Sequence, residues 1–205
     1  MQGTARNDPP ATAPAALRAR LGPRSIVLVG MPGSGKSSIG RRLAQHLGLE
    51  FIDADQEIEA AAGMSIPDIF SQHGEPYFRA GEARVIARLL DKGPQVIATG
   101  GGAFVNPDTR ALIRTRALSV WLKADVDLLL RRIKRKNDRP LLRVADPEAV
   151  LKNLLAEREA TYAEADITVT SLDVPHEAVV EAMAKALAQN LSEKDAKATP
   201  AGAQP

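Results

Sequence analysis

The chain has no cysteine, and only four Phe, two Tyr and one Trp among 205 residues. The first absence excludes a disulfide scaffold, a thiol nucleophile and any Cys-ligated zinc or iron–sulfur centre, and it suits a reducing compartment. The second leaves little for a binder of single-stranded nucleic acid, which stacks bases on aromatic rings. No stretch approaches the ~20 consecutive apolar residues that span a bilayer, and the N-terminus lacks the apolar core of a secretory signal. The expected location is therefore the cytoplasm. Charge of one sign is not in excess either: 27 Lys and Arg face 25 Asp and Glu, a net charge of +2. No long-range attraction to nucleic acid or membrane follows from that balance.

Residues 1–23 hold four prolines and six alanines with no period that could bury a face, and they are predicted to be a disordered extension. The tail 191–205 reads the same way. Arg6, Arg18 and Arg20 would suit an organelle transit peptide, but Asp8 and the prolines argue against one. Between the tails, residues 24–190 form one domain without an internal repeat. Short β-branched runs alternate there with longer helical patterns, the signature of βαβ units and a parallel sheet. Strands are predicted at 25–29, 50–52, 96–98, 118–122 and 167–170. Helices are predicted at 36–47, 76–90, 126–135, 147–163 and 175–189, with weaker ones at 56–61, 66–71 and 107–114. Asp146 before Pro147, and Ser65 three residues ahead of Asp68, mark two helix starts. Such an alternation places a ligand crevice at the carboxyl ends of the strands.

The strongest motif begins where the first strand ends. Gly30-Met31-Pro32-Gly33-Ser34-Gly35-Lys36-Ser37 fits G-x-x-x-x-G-K-[ST] between an apolar run and an amphipathic helix. Its glycines let backbone N–H groups wrap a phosphate, and the following helix aims its positive dipole end at the same anion. Lys36 is placed to reach the β- and γ-phosphates and Ser37 to ligate Mg²⁺; Gly33, Ser34, Gly35 and Ser38 complete the nucleotide cradle. A phosphate-binding loop leaves the acceptor open. The guanine-reading N-K-x-D pattern is absent, and the length leaves little room for motor or relay domains. Transfer of a phosphoryl group to a small acceptor is the favoured reading.

Five further segments bear on the transfer. Asp53 and Asp55 follow the second strand, where one can serve a metal through water and the other can orient or deprotonate a hydroxyl. The plainer alternative is that Asp55 caps a helix beginning at Gln56. Gly100, Gly101 and Gly102 end a strand and let a ligand approach the backbone closely, although a tight connection alone could also need glycine. Arg79 and Arg158 sit in helical patterns, where an arginine is more often solvated. Residues 131–143 carry seven cations and a single Asp, which repel one another unless an anion sits among them. The segment reads either as a solvated helix end or as a mobile lid over nucleotide phosphates that excludes water.

Taken in order, the phosphate loop, F-x-D-x-D, G-E-x-x-F-R-x-x-E, T-G-G-G, R-P-L-L and R-x-x-x-Y resemble the shikimate kinase family from Ile26 to Ala188. The resemblance implies an α/β P-loop NTPase fold of the nucleoside-monophosphate-kinase-like class, with a central five-stranded parallel sheet flanked by helices and a mobile lid. It also implies a monomer that uses ATP and Mg²⁺ to phosphorylate shikimate. Asp55 resembles the carboxylate that meets the ring hydroxyls and assists the attacking one. Arg79 and Arg158 are similar to the pair that clamps the substrate carboxylate, and Gly100, Gly101 and Gly102 to the backbone cradle beside it. Arg139 resembles the lid arginine on the ATP phosphates, Arg132 the one packed against adenine, and Asp53 the outer partner of Mg²⁺. The loop 170–175 lacks the Arg that some relatives place near the nucleotide, so adenine is expected to rest on backbone there. Another small-molecule kinase, with gluconate or a nucleoside monophosphate as acceptor, and a non-catalytic ATP-sensing module are the competing readings.

Overall fold

Ser-Ile-Val-Leu-Val at Ser25–Val29 forms β1, buried at every position, as a near-continuous apolar run must be in a sheet covered on both faces. The structure, a computed structural model, describes residues 12–134 and 146–198. In chain order the elements are α1 (Pro14–Leu21), β1, α2 (Lys36–Leu47), β2 (Glu50–Asp53), α3 (Ala54–Ala62), α4 (Ile66–Asp91), β3 (Gln95–Ala98), α5 (Pro107–Arg116), β4 (Ala117–Lys123), α6 (Val126–Lys134), α7 (Pro147–Tyr162), β5 (Ile167–Thr170) and α8 (His176–Ala198).

All four strand pairings are parallel and give the order β2-β3-β1-β4-β5. The chain leaves β1 toward β2 on one side and reaches β4 on the other, so the strand order reverses at β1. A crevice opens at that switch point, at the strands' carboxyl ends. One apolar layer packs α3 to α7 against one sheet face through Ile86, Leu89, Ile113 and Leu129. The opposite layer packs α1, α2 and α8 through Leu17, Leu43, Met183 and Leu187.

Three sequence expectations need correction. Within the expected N-terminal extension, residues 12–23 are not featureless: α1 packs on α2 and α8, because Leu17 and Leu21, one turn apart, both bury. Arg18 adds a hydrogen bond from Nη1 to Gly48 O at 3.0 Å. At the other end α8 runs to Ala198, where Leu191 is buried and Asp195 pairs with Arg20 at 2.9 Å. The two expected tails thus hold each other. Thirdly, 66–71 and 76–90 join in α4 across a kink at Gly74, whose φ of 78° and ψ of 173° lie outside helical space. The predicted caps at Ser65 and Asp146 accept from Asp68 N and Ala149 N.

Candidate active site

Gly30–Ser37 links β1 to α2 and passes under β4 and α6. At Gly30, φ is 134° and an added Cβ would lie 2.7 Å from Leu122 O, so only glycine fits. Gly35 caps α2 with φ 101°. The Lys36 ammonium, nearly buried, donates to Gly30 O at 2.8 Å and Met31 O at 3.0 Å. It therefore lies folded over the loop. The Ser34 hydroxyl is buried without a hydrogen-bond partner among the described residues, and a buried orphan donor is costly unless something fills the site.

Asp53 answers the capping question differently from the sequence. It, not Asp55, is the N-cap of α3: its Oδ1 accepts from Asp55 N at 3.2 Å. Its Oδ2 accepts from Ser37 Oγ at 2.8 Å. A hydroxyl and a carboxylate, both hard oxygen donors, are thereby paired at the mouth of the phosphate loop. Among the described residues no cluster of three His, Asp or Glu could hold a metal by itself, so a cation here would need phosphate oxygens to complete its shell.

The three glycines after β3 are where the remaining groups converge. A Cβ at Gly100 would lie 2.8 Å from Asp55 Oδ1 and 3.1 Å from Glu82 Oε1. At Gly101 it would lie 2.9 Å from Pro32 Cδ of the phosphate loop and 3.6 Å from Arg158 Nη1, and at Gly102 2.5 Å from Arg79 Nη2. One strip of side-chain-free backbone thus brings Asp55, Arg79 and Arg158 beside the phosphate loop. A Cβ would crowd Asp55 at Gly100, Pro32 at Gly101 and Arg79 at Gly102.

Arg79 is held rather than solvated. Its Nη1 donates to Glu82 Oε2 at 2.7 Å, and its Nε and Nη2 to Glu75 Oε1 at 3.1 Å. The Glu82 carboxylate is 2% exposed, and its second oxygen has no hydrogen-bond partner among the described residues. Burial pushes the Glu82 carboxyl up, with the Arg79 hydrogen bond and charge opposing it. Burial alone would lower the guanidinium, but Glu82 and Glu75 outweigh it and hold Arg79 more firmly cationic. Arg158 Nη1 approaches Gly101 O at 3.4 Å, and the Tyr162 hydroxyl donates to the same carbonyl. Burial raises the Tyr162 phenol against the charges of Arg158 and Arg79, so it stays a neutral donor.

Arg132 lies against the outside of the phosphate loop, with Nη1 donating to Ser34 O at 3.1 Å and Ser171 Oγ at 2.8 Å, and Nη2 to Leu172 O at 2.9 Å. Arg139 and most of the expected lid lie outside the described residues. Sequence reasoning assigned no role to Glu82, Tyr162 or Ser171, although the first two close the motifs G-E-x-x-F-R-x-x-E and R-x-x-x-Y. The first two had a signal, being three and four residues beyond Arg79 and Arg158 on the same helix faces; Ser171 had none.

This geometry has close relatives. A model of the family described as shikimate kinase matches residues 32–188. The chain is 60% identical over 181 residues to a shikimate kinase of Bradyrhizobium diazoefficiens, covering 88% of this chain and 87% of that one. It is 61% identical over 166 residues to one of Caulobacter vibrioides, covering 81% and 83%. Among solved structures, shikimate kinase from Acinetobacter baumannii in complex with shikimate superposes with a TM-score of 0.76 at 37% identity, covering 87% of this chain and 98% of that one. A family match over most of the domain, close curated relatives and a shared parallel sheet agree: the chain belongs to the shikimate kinase family.

Proposed function

We propose that the protein transfers the γ-phosphoryl group of ATP to the 3-hydroxyl of shikimate, giving shikimate 3-phosphate and ADP on the route to chorismate and the aromatic amino acids. The observation that carries this reading is the Gly100–Gly102 strip, which sets two guanidinium groups and one carboxylate against the phosphate loop. An acceptor for that arrangement bears a carboxylate and a hydroxyl. A nucleoside monophosphate, whose anion is a phosphate ester, does not match it; gluconate bears both groups, and the family match favours shikimate over it.

In this reading Arg79 and Arg158 bind the shikimate carboxylate, a task suited to planar guanidinium forks. Asp55 orients the attacking hydroxyl and accepts its proton. The N–H groups of Gly33, Gly35, Lys36, Ser37 and Ser38 hold the nucleotide phosphates, while Ser34, whose N–H is bonded to Met31 O at 3.1 Å, shapes the turn; the Lys36 ammonium leaves the Gly30 and Met31 carbonyls for the γ-phosphoryl oxygens. Ser37, with Asp53 behind it, would hold Mg²⁺, which would supply positive charge to the nucleotide phosphates. By the family resemblance, Arg132 packs against adenine and Arg139 adds a cation on the phosphates. Transfer spreads charge over the γ-phosphoryl oxygens, so the chain's work is to align the reactants and neutralise that charge. No described helix is long and apolar enough to cross a membrane, and we assign the enzyme to the cytoplasm as a monomer.

The direct test is the rate of ADP formation from ATP with shikimate, gluconate or a nucleoside monophosphate, with and without Mg²⁺. Shikimate-dependent, Mg²⁺-dependent turnover is expected. Tight ATP binding without any acceptor-dependent ADP release would instead identify a nucleotide sensor.

A further inference from the structure

We infer that Ser171 is a positioning residue for the nucleotide, clamping the phosphate loop from outside so that the Gly35 N–H is aimed into it. The inference rests on the phosphoryl-transfer reading above. Ser171 lies just beyond β5, far from the loop in sequence, yet it is 1% exposed. Its backbone N–H is bonded to Lys123 O at the end of β4, at 2.7 Å, which fixes it to the rim of the sheet. Its hydroxyl accepts from Arg132 Nη1 at 2.8 Å and donates to Ser34 O at 2.9 Å. Arg132 Nη1 also donates to Ser34 O, at 3.1 Å.

A carbonyl oxygen has two lone pairs, and both of those on Ser34 O are therefore filled by donors on one side of the loop. The Ser34–Gly35 peptide is planar and trans, so its N–H points opposite to its carbonyl. Pulling Ser34 O outward turns the Gly35 N–H inward, toward the space the loop encloses. Gly35 itself is left-handed, with φ 101°, a conformation whose neighbouring peptide can rotate at little cost. An external clamp is what such a peptide needs. The same guanidinium also reaches Leu172 O at 2.9 Å, so α6, the β5–α8 connection and the phosphate loop are joined around one hydroxyl. The clamp involves neither Arg79, Arg158 nor Asp55, so its effect belongs to the nucleotide side alone.

The test compares Ser171→Ala, Ser171→Cys and Ser171→Thr by calorimetric titration with ADP and Mg²⁺, by initial rates against each substrate, and by thermal melting. Alanine should weaken ADP, and raise KM for ATP, by about 5- to 10-fold, the scale of one lost hydrogen bond. The KM for shikimate should stay within about 2-fold. Cysteine retains the volume but only a weak donor and should fall between alanine and wild type; threonine retains the hydroxyl and should restore most of the affinity. Wild-type ADP affinity in the cysteine and alanine variants overturns the inference, as does equal weakening of both substrates or a loss that threonine does not repair. Should alanine fail to fold, the cysteine and threonine variants decide alone. If the wild type makes no ADP in response to shikimate, the functional reading fails, while the ADP titrations still judge the clamp.

Discussion

Replacing Gly102 by alanine tests the substrate side through one methyl group. Gly102 is not among the glycines with positive φ, so its backbone accepts alanine without strain. The added Cβ would lie 2.5, 2.6 and 2.7 Å from Nη2, Nη1 and Cζ of Arg79. Carbon contacts are ordinarily ~3.5–4.0 Å, so the guanidinium must retreat by about 1 Å. That retreat breaks or stretches the 2.7 Å bond from Nη1 to Glu82 and moves the cation from the position in which it meets a carboxylate. A displacement of that size can lower kcat/KM by up to ~10²-fold. We expect a loss of about 10- to 10²-fold for shikimate, mostly in KM, equivalent to ~1.4–2.7 kcal/mol of transition-state stabilisation. The KM for ATP should remain within about 2-fold. The clashing atoms end a flexible side chain, so the melting temperature should fall by less than ~4 °C, under about 1 kcal/mol. Gly81→Ala is the control: nothing lies within 4 Å of its Cβ, and a helical Gly→Ala change should leave kinetics alone and stabilise slightly. A Gly102→Ala enzyme with wild-type KM for shikimate, or with equal losses toward ATP, would remove Arg79 from the clamp.

Asp55→Asn should lower kcat at least ~10²-fold, the scale of a positioned proton acceptor, in the coupled ADP assay; near-normal turnover would rule out its assigned role. Asp166 accepts from Ser119 N, Ser119 Oγ and Lys194 Nζ at 3.0, 2.7 and 2.8 Å; burial would raise its carboxyl, but these bonds outweigh it and hold it below the usual range. With the folded value depressed, its contribution is fully present above about pH 4 and is lost as pH falls through the folded value. Asp166→Asn should therefore reduce stability by ~1–2 kcal/mol at pH 7 and by progressively less toward pH 3, and a pH-independent gap in melting curves would contradict this. Leu17→Ala should destabilise by ~2–3 kcal/mol, the low end for a buried leucine because α1 is peripheral, with both KM values unchanged. An unmoved melting temperature would mean that α1 is not docked in solution.

The layered sheet was legible because its signals are local. The run Ser25–Val29 and the G-K-S that follows it could lie nowhere but at a strand-to-helix turn, and the strand and helix periods matched the observed elements to within a few residues. What escaped was tertiary. α1 has little amphipathic pattern, and its two leucines gain burial only because α2 and α8 already present an apolar surface. Nor did residues 191–198 announce a helix; Leu191 is buried in the apolar layer that also holds Leu17, Asp195 pairs with Arg20 of α1, and Lys194 pairs with Asp166 in the turn before β5. Local composition could not reveal pairings spanning most of the chain.

At the site the difference is between residue types and their holders. Arginines, glycines and aspartates in a fixed order carried the chemistry into view, but a helical arginine looks solvated until its counter-charge is seen. Glu82 supplies that counter-charge for Arg79 from a position 2% exposed, where a carboxylate survives only beside a cation. Removing it would strand the guanidinium with Glu75, which is largely solvated. Asp53 shows the complementary case: one carboxylate caps α3 with one oxygen and meets Ser37 with the other, so capping and site geometry are the same constraint. Because the cap fixes where α3 starts, it also fixes where Asp55 emerges, beside Gly100 and Glu82. The reacting groups are thus set by backbone and buried charge rather than by one another, which is why a methyl at Gly102 or a missing hydroxyl at Ser171 should each disable one substrate and spare the other.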